Sequence, residues 1–360
     1  MKDVAREAQV SLSTVSYVLN NNHHAARITE PTKQRVRDAV HRLGYKFDPI
    51  GRALQRGYTN QVILLIVTWD LATSHSATAM AISRAAISHG FELTIHVADD
   101  DADADAFLQR RMLHNISGLL VLWDSPAMRE SYLSQLADEG LPIVDLLPDS
   151  PAGISTVTPD REKAFHHGTT HLIKLGHTRI GLVSDTVTRP KTTLCKLAGY
   201  RRALEQAGIK YDESLVINTT EFGFEGGVSS FPLLAKSAPK VTAAICINDA
   251  IALGLMAAAS DAGLRCPADF SAVGFGDSPM GKYWRPPLTT FALSANRVAE
   301  LAVSLVMQRN EGGFPAQTIL VPEELIIRQS TGQAPNAGTR EVRPTAYAVQ
   351  ESGVSRSSAP

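Results

Sequence analysis

The chain has 360 residues, too many for one compact core, so two or three domains are expected. Its hydrophobic fraction is 44%, and no run approaches the ~18 continuous apolar residues of a membrane span, which argues against a membrane protein. The net charge of −1 averages two unlike parts: residues 1–57 hold ten Lys/Arg against five Asp/Glu, leaving +5, and the remainder stands at −6. A basic head on an acidic body suits phosphate contact by the head alone.

The opening MKDVAREA lacks an apolar segment, so no secretory signal is expected and the cytoplasm is the expected compartment. Cys195, Cys246 and Cys266 are odd in number and widely spaced. They form neither a disulfide framework nor a zinc ligand set, and they fit plain thiols in a reducing compartment.

Residues 1–46 are expected to form short helices. Val4, Ala5 and Ala8 share one helical face, and Val15, Val18 and Leu19 share another. Ser11 is the expected N-cap of the second helix. Thr29 is expected to cap a third, which carries Val36, Val40 and Leu43 and stops at Gly44. From Val62 the period changes. Strand-like runs at 62–67, 91–97, 118–123 and 141–147 alternate with helical patterns near 77–89 and 104–114. A second series starts with a helix near 161–175. It continues with strands at 179–184, 215–218, 243–248 and 270–275, between helices near 196–207, 225–236 and 250–262. Such alternation predicts parallel sheets covered on both faces. The fold class is therefore an all-α head followed by an α/β body of two doubly wound parallel-sheet subdomains.

The segment KDVAREAQVSLSTVSYVLN (2–20) resembles the helix-turn-helix of the lactose-repressor (LacI/GalR) family. RVRDAVHRLGYKFD (35–48), IGRALQRGYTN (50–60), HLIKLGHTRIGLVS (171–184), LAGYRRALEQAGI (197–209), NDAIALG (248–254), FSAVGFGDS (270–278), RPPLTT (285–290) and LIIRQST (325–331) extend the resemblance over about residues 2–332. The resemblance implies a DNA-binding domain at 1–46, a hinge at 47–60 and a periplasmic-binding-protein-like sensor at 61–332. The sensor subdomains are expected at about 61–155 and 156–285, with chain crossings near 290 and 320. A disordered tail is expected over 333–360.

The resemblance also implies site residues. Leu12 and Ser13 match the family's base-reading pair; Leu suits a thymine methyl, and Ser suits several base edges. Thr14, Ser16 and Asn20 stand where the family contacts phosphates. Ser11, Tyr17 and Thr29 complete the set on the head. In the hinge, Leu54 stands at the family's minor-groove wedge, with Arg52 two residues before it. Packing against a symmetry mate is the alternative for Leu54. The head and hinge depart from the family: Gln9 replaces the turn Gly, Tyr17 replaces an Arg, Phe47-Asp48 replaces the Pro-Asn entry, and Gly51 lowers hinge helix propensity. A non-consensus operator is expected.

For the sensor, Trp69 and Asp70 follow the first strand and Trp123 follows the third. Phe222 stands at the place of an aromatic that stacks on sugar rings. Asn248 and Asp249 follow AAICIN; Asp249 is assigned to capping the next helix. Lys196 replaces the family's effector-binding Arg, and Lys lacks the planar fork. Gly276 replaces the first Asp of the usual GFDD, leaving Asp277, and Trp284 precedes RPPLTT. The effector candidates are thus Trp69, Asp70, Trp123, Lys196, Phe222, Asn248, Asp277 and Trp284. For each aromatic, a place in the core is the competing reading.

Other patterns are set aside. DDDADAD (99–105) fits a solvated acidic turn that caps the next helix. His167 and His171 lack the Glu of the zinc-protease pattern and fit a helix surface, and His177 fits a structural turn. No cofactor, metal or catalytic site is expected. The sequence predicts a homodimeric repressor of operator DNA, controlled by a small effector, a sugar or its derivative. The alternatives are a ligand-independent regulator with a degenerate cleft, motivated by Lys196 and Gly276, and a sugar-binding transport protein.

Overall fold

Val4, Ala5, Ala8, Val15, Val36 and Ala39 are buried together and form the core of the head. The computed structural model describes residues 1–19, 27–45, 59–67, 74–110, 116–124, 129–185, 190–219, 221, 223–237, 240–310 and 315–335. The chain divides into two units, Met1–Thr59 and Asn60–Pro360. In the first, α1 (Lys2–Glu7), α2 (Leu12–Leu19) and α3 (Glu30–Arg42) each bury one stripe of side chains in that core. Gln9 turns the chain between α1 and α2 at φ 52°, in the left-handed region. Ser11 caps α2, its Oγ accepting from the Thr14 N–H at 3.1 Å. Thr29 stands at the cap position of α3 but makes no side-chain cap; its hydroxyl pairs with the Thr32 hydroxyl at 3.0 Å. This corrects the expected cap. Pro31 in the first turn has no N–H to satisfy, so one fewer donor needs a partner. Gly44, at φ 55°, ends the helix, and the Tyr45 N–H returns to the Val40 carbonyl at 3.0 Å.

The second unit has two lobes. The first contains β1 (Gln61–Val67), α4 (Ser74–Ser88), β2 (Glu92–Ala98), α5 (Asp101–Leu108), β3 (Gly118–Trp123), α6 (Arg129–Asp138), β4 (Ile143–Asp145) and β5 (Ser155–Pro159). The second contains α7 (Arg161–Lys174), β6 (Ile180–Ser184), α8 (Pro190–Gln206), β7 (Val216–Asn218), α9 (Phe224–Ala235), β8 (Ala243–Cys246), α10 (Asp249–Asp261) and β9 (Ser271–Val273). Then follow α11 (Pro279–Tyr283), β10 (Thr290–Ala292), α12 (Ala295–Asn310), β11 (Thr318–Val321) and β12 (Glu324–Ile326).

The first sheet runs β11-β5-β4-β3-β1-β2 and the second β7-β6-β8-β9; every pairing in both is parallel. β1 shows why. Val62, Leu64 and Ile66 face one core with α4 and α12, while Ile63 and Leu65 face another with α5 and α6. A strand buried on both faces must be apolar throughout, and each such side chain is worth about 1.5–3 kcal/mol.

Several boundaries differ from expectation. β5 pairs with β4, so the first lobe extends to Pro159 rather than about 155. The crossings near 290 and 320 bracket α12 and β11, which return to the first lobe: β11 pairs with β5 and α12 packs on α4. The acidic run is a solvated turn that caps the next helix only at Asp99 and Asp100; the rest of it is helical. Asp101, Asp103 and Asp105 lie within α5, Asp100 caps it by accepting from the Asp103 N–H at 2.8 Å, and Asp105 is buried. Negative charge in a first helical turn is favourable, so the run starts a helix. Residues 333–335 of the expected tail are held, with the Ala334 N–H donating to the Leu175 carbonyl at 2.8 Å. The rest of the tail and hinge residues 47–58 lie outside the described residues. Among the described residues, no helix is long and apolar enough to cross a membrane.

Candidate DNA-reading helix and effector cleft

α2 has the sequence LSTVSYVL and carries no charged side chain. Only Val15 is buried; Ser11, Leu12 and Ser13 are exposed, and Thr14, Ser16 and Tyr17 are partly exposed. The helix therefore offers an uncharged N-terminal surface of hydroxyls and one apolar tip. Leu12 is 44% exposed, which the core does not require. The Ser11 hydroxyl also meets those of Ser13 at 2.7 Å and Thr14 at 2.8 Å. This arrangement can present donors and acceptors to a phosphate or base edge without repelling it. Asn20, Arg52 and Leu54 lie outside the described residues.

In the body, a cleft with a cavity volume of about 110 Å³ lies between the C-terminal ends of the two sheets. Parallel sheets place ligands there, because loops diverge beyond the strand ends. Val67, Asp124, Leu147 and Pro159 come from strand ends of the first lobe. Thr192, Thr193 and Lys196 come from α8, and Ile247, Asn248, Asp249 and Phe275 follow β8 and β9. The Thr192 hydroxyl donates across the cleft to Asp124 Oδ2 at 2.7 Å, while the buried Asp124 Oδ1 has no hydrogen-bond partner among the described residues.

Lys196 is buried and lines the cleft. Its ammonium donates to the Ile247 carbonyl at 2.8 Å and stands 4.6 Å from the Phe275 ring centroid and 5.4 Å from that of Phe165. Aromatic faces stabilise a desolvated cation. Asn248 also lines the cleft, but its Oδ1 caps α10 by accepting from the Ile251 N–H at 2.8 Å. The cap expected of Asp249 thus falls to Asn248. Asp249 instead turns toward the strand ends, where its Oδ2 accepts from the Ser278 N–H at 2.6 Å and its Oδ1 accepts from the Thr290 hydroxyl. Burial pushes its carboxyl above the usual carboxylate range.

Three other expected effector residues do not line the cleft. Trp123 is fully buried in the first lobe and donates its indole N–H to Asp101 Oδ1 at 2.7 Å. The two-residue period of β3 sends Leu122 to the cleft side and Trp123 to the opposite core. Asp277 is taken by Arg328 in an ion pair. Trp284 packs on the second lobe's core, its ring 6.1 Å from Phe224. Trp69, Asp70 and Phe222 lie outside the described residues. The backbone explains Gly276: it adopts φ 133°, which a side chain would strain, and Asp277 follows at φ 48°.

Arg161, the first residue of α7, also lines the cleft and is half-buried. It donates to Thr158 Oγ1 at 2.6 Å. Nothing in the helical pattern around 161 separates an inward Arg from a surface one, so its role was not legible. His171 is not free on its helix surface as expected, since it meets the Thr331 hydroxyl at 3.1 Å. His177 is fully buried against Thr242, Ser271 and the Gly332 carbonyl.

A three-helix head with an exposed, uncharged second helix, joined in one chain to a two-lobed parallel α/β body with a cleft between its sheets, defines a transcriptional regulator with a periplasmic-binding-protein-like effector domain. Residues 1–48 match the family of bacterial regulatory proteins of the lacI type, and residues 169–331 match the periplasmic binding protein-like domain. The chain is 31% identical over 338 residues to the HTH-type transcriptional regulator DegA of Bacillus subtilis, covering 91% of this chain and 97% of DegA. It belongs to the LacI family. A transcriptional regulator CelR–cellobiose complex superposes with a TM-score of 0.69 at 25% identity, over 91% of this chain and 98% of that one. The Lac repressor dimer bound to operator and the anti-inducer ONPF has the same fold, with a TM-score of 0.75 at 22% identity, over 92% of this chain and 98% of that one.

Proposed function

We propose that this regulator is a dimeric repressor that binds operator DNA through α2 and answers to a small polyhydroxylated effector in the cleft. The hydrogen bond from Thr192 to Asp124 carries the reading, because it joins the two lobes across the cleft and leaves an acceptor on Asp124 without a partner among the described residues. An effector hydroxyl that meets this acceptor would change the balance between open and closed lobes. The similarity to a regulator in complex with cellobiose supports a carbohydrate or a derivative. Leu12 and Ser13 read bases, Ser11, Thr14, Ser16, Tyr17, Asn20 and Thr29 position the head, and Arg52 and Leu54 act at the hinge. Lys196 and Asn248 contact the effector. Trp69, Asp70 and Phe222 extend this set.

The dimer forms along β2. It is the edge strand of the first sheet, and Ile95 and Val97 are exposed beside Met80 and Ile87 of α4. An apolar edge of this kind requires a cover.

The test is operator selection from a random duplex library, followed by binding with and without effector. Leu12→Ala and Ser13→Ala each weaken the selected operator about tenfold or more, in line with 1–3 kcal/mol per base contact. Unchanged affinity in both variants would remove α2 as the reader. Affinity for the selected operator that no sugar or sugar derivative alters would favour a ligand-independent regulator.

A further inference from the structure

We infer that the effector is amphiphilic: it turns hydroxyls toward Asp124 and the second lobe, and an apolar substituent toward a first-lobe wall made by Val67, Leu122, Leu146, Leu147 and Val298. This inference rests on the effector cleft proposed above and specifies its ligand. The five side chains come from the ends of β1 and β3, the turn after β4, and α12, and all line one cavity. Leu122, Leu146, Leu147 and Val298 belong to the core packed beneath α4 and α12, so the cleft opens onto the end of that core.

The wall is held in place. Asp145 Oδ1 accepts from the Leu147 N–H at 3.0 Å, and its Oδ2 accepts from the Ser150 hydroxyl at 2.6 Å. The Thr156 hydroxyl donates to Ser150 in turn, at 2.8 Å. The Leu146 N–H donates to the Val121 carbonyl at 2.8 Å. The backbone donors of both leucines are thus committed within the protein. Among the described residues of the first lobe, Thr78 and Asp124 bring the polar side chains to the cleft. The facing side differs: Thr192, Thr193 and Asn248 bring hydroxyl and amide groups.

A sugar with a hydroxyl on every carbon presses some of them against the aliphatic wall. Each such hydroxyl leaves its water partners and gains none. A water molecule there is served as poorly, because a buried water needs two to four polar partners. A methyl, alkyl or aryl group in the same place removes apolar surface from water. One methylene in an apolar pocket discriminates by roughly 10–200-fold. The apolar group belongs either to the ring, as in a deoxy sugar, or to an aglycone, as in an alkyl or aryl glycoside.

The experiment uses the full chain and matched compounds: hexoses, their 6-deoxy counterparts, and their methyl, butyl and phenyl glycosides. Calorimetry and melting temperature report binding. At least one deoxy sugar or glycoside is expected to bind about ten times or more tightly than its parent hexose. The arm that gains tells whether ring or aglycone meets the wall. Leu147→Asn lowers that preference at least about threefold, and Leu147→Met keeps it. Should Leu147→Asn fail to fold, the isosteric Val298→Thr tests the same wall. Parent hexoses binding as tightly as all their apolar partners, or a preference that survives the polar substitution, overturns the apolar contact and leaves the effector cleft standing. No response to any compound overturns both readings.

Discussion

Thr192 and Asp124 stand on opposite walls of the cleft, and one hydrogen bond of 2.7 Å joins them. Thr192 belongs to α8 in the second lobe; Asp124 follows β3 in the first. Removing the Thr192 hydroxyl strips Asp124 of its donor while Oδ1 already lacks one. Thr192→Val is expected to lower the stability of the body by about 1–3 kcal/mol, or to open the lobes so that water solvates the carboxylate. Thr192→Ser keeps the bond and behaves as wild type. Melting curves and small-angle scattering separate the two outcomes. A valine variant with unchanged melting and unchanged radius would show that the bond holds nothing.

Gln9 is a second testable position. It adopts φ 52° without being glycine. A left-handed conformation costs an L-residue about 1 kcal/mol. Gln9→Gly should therefore stabilise the head by about that much, visible as a higher melting temperature of the α-helical signal from residues 1–45. A loss of stability would mean that the Gln side chain holds the turn.

Glu323 sets a pH dependence. Burial raises its folded pKa from 4.5 to about 7. The fold therefore binds this proton more tightly than the unfolded chain does. Its contribution is fully present below pH ~4.5 and is lost as pH rises through about 7. Glu323→Gln avoids the charged form. It should match wild type near pH 5 and exceed it at pH 8 by about 1–2 kcal/mol, after discounting for partial solvent screening. Parallel urea titrations at the two pH values measure this. A difference of opposite sign, or none, would place the charged carboxylate in a stabilising contact.

The exposed edge gives a fourth prediction. Ile95→Asp puts a charge in the centre of the β2 patch and should yield a monomer by analytical ultracentrifugation. Its melting in dilute solution should change little, because Ile95 is 45% exposed in the single chain. A dimer that persists would move the interface elsewhere.

The sequence revealed the architecture wherever one local pattern sufficed. Apolar runs such as VILLIV and GLLVLW became central parallel strands, and Ser11 became a cap. It failed where placement depends on distant parts of the chain. α12 was not anticipated, because its residues complete a core begun more than 200 positions earlier, around Ile82 and Ala85. β10 and β12 are three residues each and exist through their pairing with one another. Among site residues, Lys196 and Asn248 line the cleft because their elements end there. Trp123 does not, since a strand end leaves open which of two faces a side chain takes. Arg161 was missed for the same reason in reverse: its helix was expected near 161–175, but the helical pattern leaves open which way its first side chain points.

The buried His177 ties the second sheet to the chain's return. It contacts the Gly332 carbonyl at 3.1 Å; Ser330 donates to the Ala272 carbonyl at 2.6 Å, and the Gly332 N–H donates to Ser271 at 3.1 Å. Residues 330–332 thus act as a clasp sewn into the far end of the second lobe. An engineer can shorten this protein or append a reporter only downstream of the clasp. A cut before Ser330 would strip a buried imidazole of a partner, and the damage would reach strands β8 and β9, on whose ends half the cleft is built.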